Sequence, residues 1–299
     1  MLEKSEQTRA SFTVRDVTVV TVSYNSAEPL KAMLASLPTG TKAIIVDNSG
    51  QDNDALNALA QSPDTCLITN ASNQGFGKAC NRGGQAAETE FVLFLNPDTV
   101  ARPGAIEALI ASAERHGANT AFNPRIENSR QRPLFKRRSV LLPRSKWLRR
   151  GCPDVETEVP VLSGACIFVR KTTFEKVEFD PKIFMYHEDD DWSIRVSNLE
   201  DGKLVFVPDA IVTHASGHSS GRSPKIAEFK AFQLAKSRVY TMQKHGRFAP
   251  KLQAYLHLMT QFLNPQILWN RRKRAKAIGF MKGLIWADKD CSNPDDLPG

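Results

Sequence analysis

Four consecutive acids, Glu188, Asp189, Asp190 and Asp191, stand between Tyr186-His187 and Trp192-Ser193. Like charges this close repel, so crowding is expected to raise the pKa of at least one carboxyl group toward the range where it takes a proton from a hydroxyl. The run equally suits a helix start, where acids complement the macrodipole and Asp191 pairs with Arg195 at i, i+4. Both descriptions can hold together, although a helix start does not require so many acids. A second group able to do chemistry is Asp98, in Asn96-Pro97-Asp98-Thr99. An oxygen ligand there suits Mg²⁺ or Mn²⁺ bridging a diphosphate, and the same four residues also make a favourable type I turn without any metal. His214, in Val212-Thr213-His214, is either a further ligand or phosphate contact, or a structural histidine.

Asp47 ends the apolar run Ile44-Ile45-Val46 and can accept hydrogen bonds from a base or ribose edge, or cap its own turn. Asn73-Gln74-Gly75-Phe76-Gly77 precedes a helical stretch, so its backbone can approach an anion at a helix N-terminus. It lacks both the P-loop ending and the dinucleotide fingerprint, and a generic tight turn is the alternative.

These groups need a sheet to carry them. Short apolar runs at Val17–Ser23, Ala43–Asp47, Cys66–Thr69 and Phe91–Leu95 suit central strands of a parallel sheet. Helix-type spacing occupies Pro29–Leu37, Asp54–Gln61 and Gly77–Ala87, giving the order β-α-β-α-β-α-β of a nucleotide-binding half-fold. A helix is expected over Pro103–His116, with Pro in its first turn and Gly117 after its end. From Arg125 to Arg150 the chain is basic and irregular, as expected of a long surface loop. Structure resumes at Val161–Val169, Phe184–Ser197 and Leu204–Val207, where Pro208 is expected to stop the strand. Beyond His218 the chain turns helical, with Leu252, Tyr255, Leu256, Met259, Phe262 and Leu263 repeating at i, i+3, i+4 before the basic run Arg271–Arg274. The divisions expected are a polar tail at 1–16, a nucleotide-binding half at 17–102, a second half at 103–222 containing the basic loop 125–150, and a helical region at 223–299.

Composition agrees with a folded chain of one large or two ordinary domains: 299 residues, 41% hydrophobic and 24% charged. The net charge of +8 favours anionic partners. Five cysteines, Cys66, Cys80, Cys152, Cys166 and Cys291, form no C-x-x-C pair, so neither a disulfide framework nor a zinc knuckle is encouraged, and a reducing cytoplasm is the simplest setting. No signal-peptide core and no run of about 18 apolar residues is present, so neither secretion by that route nor a membrane span is expected.

The segments together resemble the family 2 glycosyltransferases of GT-A fold, in their rhamnosyltransferase-like branch. Val19–Ser26 resembles the first-strand signature, Val46–Ser49 the second, Asn73–Gly83 the third, Asn96-Pro97-Asp98 the D-x-D motif, Leu162–Ala165 the start of the acceptor lobe and Glu188-Asp189-x-Asp191 the base-bearing motif. Two positions depart from the pattern: Asn96 where a carboxylate is often found, and Asp190 where an apolar residue is usual.

The resemblance implies an α/β fold with a Rossmann-like, mostly parallel sheet flanked by helices and a helical C-terminal extension. It implies inverting transfer of a sugar, with dTDP-rhamnose the suggested donor, from a nucleoside diphosphate to a glycan or lipid-linked acceptor. The nucleotide would lie against Ser23, Tyr24, Asn25, Asp47, Asn73, Gly75, Gly77, Asn81 and Asn96. Asp98 and His214 would hold Mg²⁺ or Mn²⁺, and Asp189 would be the catalytic base, ahead of Glu188 and Asp191. A nucleotidyltransferase would need a Gly-rich loop after the first strand, which Ser23–Ser26 lacks. A nucleic-acid-binding protein would use Arg130–Arg150 and Arg271–Arg274, which no aromatic stacking motif accompanies. The amphipathic helix with its basic Arg271–Lys276 end either packs on the catalytic domain or lies on an anionic membrane surface, at the inner face of the cell membrane if the acceptor is lipid-linked.

Overall fold

The computed structural model describes residues 11–51, 53–214 and 223–288. The first ten residues of the polar tail, His218 and Cys291 lie outside the described residues. In chain order the regular elements are β1 (Val17–Ser23), α1 (Ala27–Ala35), β2 (Lys42–Asp47), α2 (Asp54–Leu59), β3 (Thr65–Thr69), α3 (Phe76–Ala86), β4 (Phe91–Leu95), β5 (Thr99–Ala101), α4 (Ala105–Arg115), β6 (Thr120–Glu127), β7 (Thr157–Glu158), β8 (Cys166–Arg170), α5 (Lys171–Lys176), α6 (Glu188–Ser197), β9 (Lys203–His214), α7 (Pro224–Lys244), α8 (Pro250–Phe262) and α9 (Arg271–Asp288).

One sheet runs β3-β2-β1-β4-β8-β6-β9-β5, with β7 on β9. It is parallel from β3 to β4 and again at β6–β9, and antiparallel at β4–β8, β8–β6, β9–β5 and β7–β9. The α/β class holds, with a mixed sheet: β8 pairs directly with β4, so the strands before and after residue 102 share one sheet. Both faces are covered. Along β4, Phe91, Leu93 and Leu95 join the core under α1 and α4, while Val92 and Phe94 join the core under α3, α5 and α6. This alternation is why the strand reads as an unbroken apolar run.

Several boundaries differ from those expected. The fourth helix begins at Ala105, because Gly104 adopts the left-handed region at φ +83° and leaves Pro103 outside the helix. Pro208 does not stop its strand. The register against β6 jumps from Pro124↔Val207 to Arg125↔Ile211, so Pro208 sits in a bulge where no ladder N–H is required. The run Val161–Val169 becomes a strand only from Cys166, after a turn closed by Cys166 N–H to Ser163 O (3.3 Å). Phe184–Ser197 is helical only from Glu188. The basic stretch contributes its first residues to β6 and then packs against the body: Leu141 is buried, and the Trp147 indole donates to Ser139 O (3.0 Å).

The C-terminal helices form their own small core of Ala231, Ala235, Val239, Ala254, Leu258, Phe280 and Leu284. α9 crosses α7 almost backbone to backbone: a Cβ on Gly279 would come within 2.1 Å of Glu228 O, and one on Gly283 within 2.4 Å of Phe232 O. Among the described residues no helix is long and apolar enough to cross a membrane.

Candidate functional site

A cavity of about 990 Å³ opens at the carboxyl ends of β1 and β4, between the sheet, the first turn of α6 and the start of α7. One wall comes from short loops that leave the strands. Tyr24 and Asn25 follow β1, Asn25 in the left-handed region at φ +54°. The loop before α3 is organised by Asn48: its amide donates to Asn73 Oδ1 (2.9 Å), and its Oδ1 accepts from Gln74 N–H (2.9 Å) and from the Asn70 amide (2.9 Å). Gly75 is at φ +81°, and a Cβ there would lie 2.4 Å from Phe184 O, so glycine is the residue that allows this loop to meet the segment before α6. Tyr24, Asn25, Asn73, Gly75 and Asn96 all line the cavity.

Asn96-Pro97-Asp98-Thr99 forms the expected turn, with Thr99 N–H donating to Asn96 O (3.2 Å). The turn does more than reverse the chain. It leads into β5, whose Thr99 pairs with His214 at the end of β9, and this register brings His214 Nε2 within 3.1 Å of Asp98 Oδ1. Two residues 116 positions apart thereby present a carboxylate and an imidazole to one cavity. That donor pair suits a divalent cation that takes its remaining ligands from diphosphate oxygens and water. Among the described residues no group of three His, Cys, Asp or Glu side chains is positioned to hold a metal ion by itself.

The four acids face four different environments. Asp189 lines the cavity; its Oδ2 accepts from Lys136 Nζ (2.6 Å) and from Gly164 N–H (2.8 Å). Glu188 also lines the cavity, and its Oε2 is buried without a hydrogen-bond partner among the described residues. Burial, and then the charges of Asp189 and Asp190, push its pKa up to about 8. One carboxyl is raised, as expected, but burial contributes more to it than the crowding of like charges. Asp190 turns inward to Lys136 Nζ (2.9 Å) and His187 Nδ1 (3.0 Å); burial opposes its charge, but these partners pull its pKa down to about 2. Lys136, conversely, titrates above its ordinary value, because the charges of Asp189 and Asp190 outweigh its burial.

Asp191 requires a correction. Its side chain is 0% exposed and points away from the cavity into Arg195 Nε (2.8 Å), Lys244 Nζ (2.7 Å) and His245 Nε2 (2.9 Å). It ties α6 to the end of α7. Burial alone would raise its pKa, but hydrogen bonds from His245 and Lys244 and the charge of Arg195 hold it at about 2.

Four other expected contacts also lie off the cavity. Asn81 is spent on the Phe179 backbone, donating to its carbonyl and accepting from its N–H (both 2.8 Å), and Gly77 packs on the Phe179 side chain. Asp47 is buried and accepts from Ser49 N–H (3.0 Å), the turn-capping alternative, and the Ser23 hydroxyl is buried beneath the strand end. Sequence reasoning missed Asn48, Gly164 as a direct donor to Asp189, and Lys136. Asn48 adjoins Asp47 and Gly164 lies in a quoted motif, so both carried a signal; Lys136 is one cation among many in its loop.

The description Glycosyl transferase family 2 matches residues 18–178 of the chain. N-acetylglucosaminyl-diphospho-decaprenol L-rhamnosyltransferase of Mycobacterium tuberculosis is 32% identical over 241 residues, which are 69% of this chain and 78% of that protein. Among solved structures, the first 349 residues of S. aureus TarS superpose with a TM-score of 0.53 at 17% identity, covering 91% of each chain. The mannosyltransferase PcManGT from Pyrobaculum calidifontis, in complex with GDP-Man and Mn²⁺, gives 0.53 at 12% identity over 93% of this chain and 88% of that one. At these identities the structures bear on the fold alone.

Proposed function

The chain belongs to glycosyl transferase family 2, and we propose that it is an inverting enzyme that carries a hexose, L-rhamnose by likeness to the mycobacterial relative, from a nucleoside diphosphate to a hydroxyl of a lipid-linked glycan. The family match sets aside the nucleotidyltransferase and nucleic-acid alternatives. One observation carries the reading: Asp98 with His214, and Asp189 with Glu188, line one and the same cavity.

In the proposed reaction the acceptor hydroxyl attacks the anomeric carbon. A new C–O bond forms on the face opposite the breaking bond to the diphosphate, and the configuration inverts in one displacement. Asp189 takes the hydroxyl proton. Its two donors, Lys136 and Gly164 N–H, suit a carboxylate in its charged form and fix its orientation. Glu188, with a pKa near 8, is protonated at neutral pH and is a poor acceptor there. Asp98 and His214 would hold a divalent cation, which when bound stabilises negative charge on the departing diphosphate. Tyr24, Asn25, Asn73, Gly75 and Asn96 would contact the nucleotide, with Asn48 setting the shape of their loops.

A lipid-linked acceptor requires the enzyme at a membrane surface. Leu252, Leu256, Met259, Leu263 and Trp269 are exposed beside the basic start of α9, the pairing of apolar and cationic groups that lies against anionic headgroups. We therefore place the protein peripherally on the membrane through α8 and the segment after it.

Asp189→Asn removes the proton acceptor and the charge that pairs with Lys136, in a side chain of the same shape. Transfer should fall by about 10²–10⁴-fold while donor affinity, measured by calorimetry, stays within about twofold. Undiminished turnover would remove Asp189 from the mechanism.

A further inference from the structure

A second cavity, of about 640 Å³, lies between α7, α8 and the start of α9. It adjoins the first, since Tyr186, Ile226 and Lys230 line both. Its volume is in the range of small-molecule sites, roughly 300–1,000 Å³. The lining divides in two. Ala231, Leu234, Ile267 and Phe280 make an apolar wall, and Lys230, Arg272, Lys273 and Lys276 make a cationic rim. Among the described residues no Asp or Glu lines it. Four like charges around one cavity repel. Lys230 registers this by titrating below its ordinary value, through burial first and then through Arg272 and Lys276.

A doubly charged anion relieves that repulsion, and the apolar wall beside it remains wet unless the same ligand brings hydrocarbon. A free phosphate or a nucleotide meets only the first requirement. We propose that this groove binds the diphosphate and the first isoprenoid units of a polyprenyl-diphosphate-linked acceptor. Arg272, Lys273, Lys276 and Lys230 grip the diphosphate, and the sugar beyond it reaches Asp189 through the mouth shared by the two cavities. The inference rests on the glycosyltransferase reading and assigns the anchor of its acceptor to residues that, Lys230 apart, line the second cavity and not the first. The exposed Leu268 and Trp269, which precede α9, extend the apolar surface from the groove toward the face assigned to the membrane.

The probe is farnesyl diphosphate, with farnesol and inorganic pyrophosphate as its two halves, titrated into the full chain by calorimetry. Farnesyl diphosphate should bind at least about tenfold more tightly than either half. The double variant Arg272→Gln/Lys276→Gln, both of whose positions are exposed on α9, should lose at least about tenfold of that affinity, because each lost charge contacts the ligand directly. The KM for a lipid-linked acceptor should rise in the same variant while the KM for the donor does not. Unchanged farnesyl diphosphate affinity in the variant overturns the proposal. Pyrophosphate binding as tightly as farnesyl diphosphate overturns the amphiphile assignment. Displacement of the probe by phosphatidylglycerol vesicles at equal lipid concentration would reassign the groove to bulk headgroups and overturn it as well. The two readings fail separately. Charge-dependent farnesyl diphosphate binding without sugar transfer to any acceptor supports the groove and defeats the active-site reading. Normal transfer with no farnesyl diphosphate binding does the reverse.

Discussion

The sheet and the C-terminal helices dispose of their large apolar side chains in opposite ways. In the sheet Phe91, Phe94, Phe122 and Phe168 are almost wholly buried, and the core between layers is closed with rings. In the helices the core is small, three alanines with Val239, Leu258, Phe280 and Leu284, while Leu252, Leu256, Met259, Leu263 and Trp269 face outward. The first arrangement stabilises a fixed scaffold whose edges hold polar groups in place. The second holds the helices close together and leaves apolar surface over, well beyond scattered single exposures, which in a water-soluble context marks a contact surface. A periodic apolar pattern thus states that a helix is amphipathic without stating whether its partner lies inside or outside the protein.

The contrast is most directly attacked at a buried residue that joins the two regions alongside the Asp180–Lys244 pair. Asp191→Asn leaves Arg195, Lys244 and His245 around an uncharged group, and should cost about 3 kcal/mol, seen as a lower Tm or as separate transitions for sheet and helices. A single unshifted transition would mean that the regions are held together by other contacts. Because the folded pKa of Asp191 is depressed to about 2 from an ordinary value of about 4, its contribution is complete above about pH 4 and is lost as pH falls through 2; the variant should flatten that part of the acid-unfolding curve.

A smaller effect is expected at the sheet edge, where Asp98→Asn should weaken donor binding in the presence of Mn²⁺ by at least about tenfold and barely change it in EDTA. Equal affinity of the wild type in both conditions would take Asp98 out of a metal site. The smallest effect concerns the outward face. Leu256→Ser/Met259→Ser should reduce sedimentation with anionic liposomes several-fold, about 0.5 kcal/mol of lost burial per side chain at shallow insertion, and leave transfer to a water-soluble acceptor unchanged. Retained sedimentation would return the exposed stripe to the status of ordinary surface.

Much of the sheet was legible because its strands are short runs rich in apolar residues, three of which end at or just before Asp47, Asn70 and Asn96: β1 and β4 occupy the residues expected of them, and β2 and β3 differ by one. β6 was not legible, since Pro124 and Arg125 within it resemble a break, and only the bulge opposite Val207 and Ile211 lets the strand continue. Asp98 and His214 were legible as candidates, but their proximity is a matter of register between β5 and β9 that no local pattern encodes. The four acids were the hardest to separate. Helix geometry points each in its own direction, and what it meets there comes from afar: Lys136 for Asp189 and Asp190, Lys244 and His245 for Asp191.

The glycines that seat α9 on α7 bear on how freely this chain can vary. Where two helices touch through their main chains, the separation between them is fixed by atoms that every residue shares, and so it is insensitive to which side chains project on either side. Substitutions around that crossing can therefore alter which molecules are accepted while the gauge of the gap stays constant, and a methyl group at position 279 or 283 would change the gauge while leaving every projecting side chain as it was.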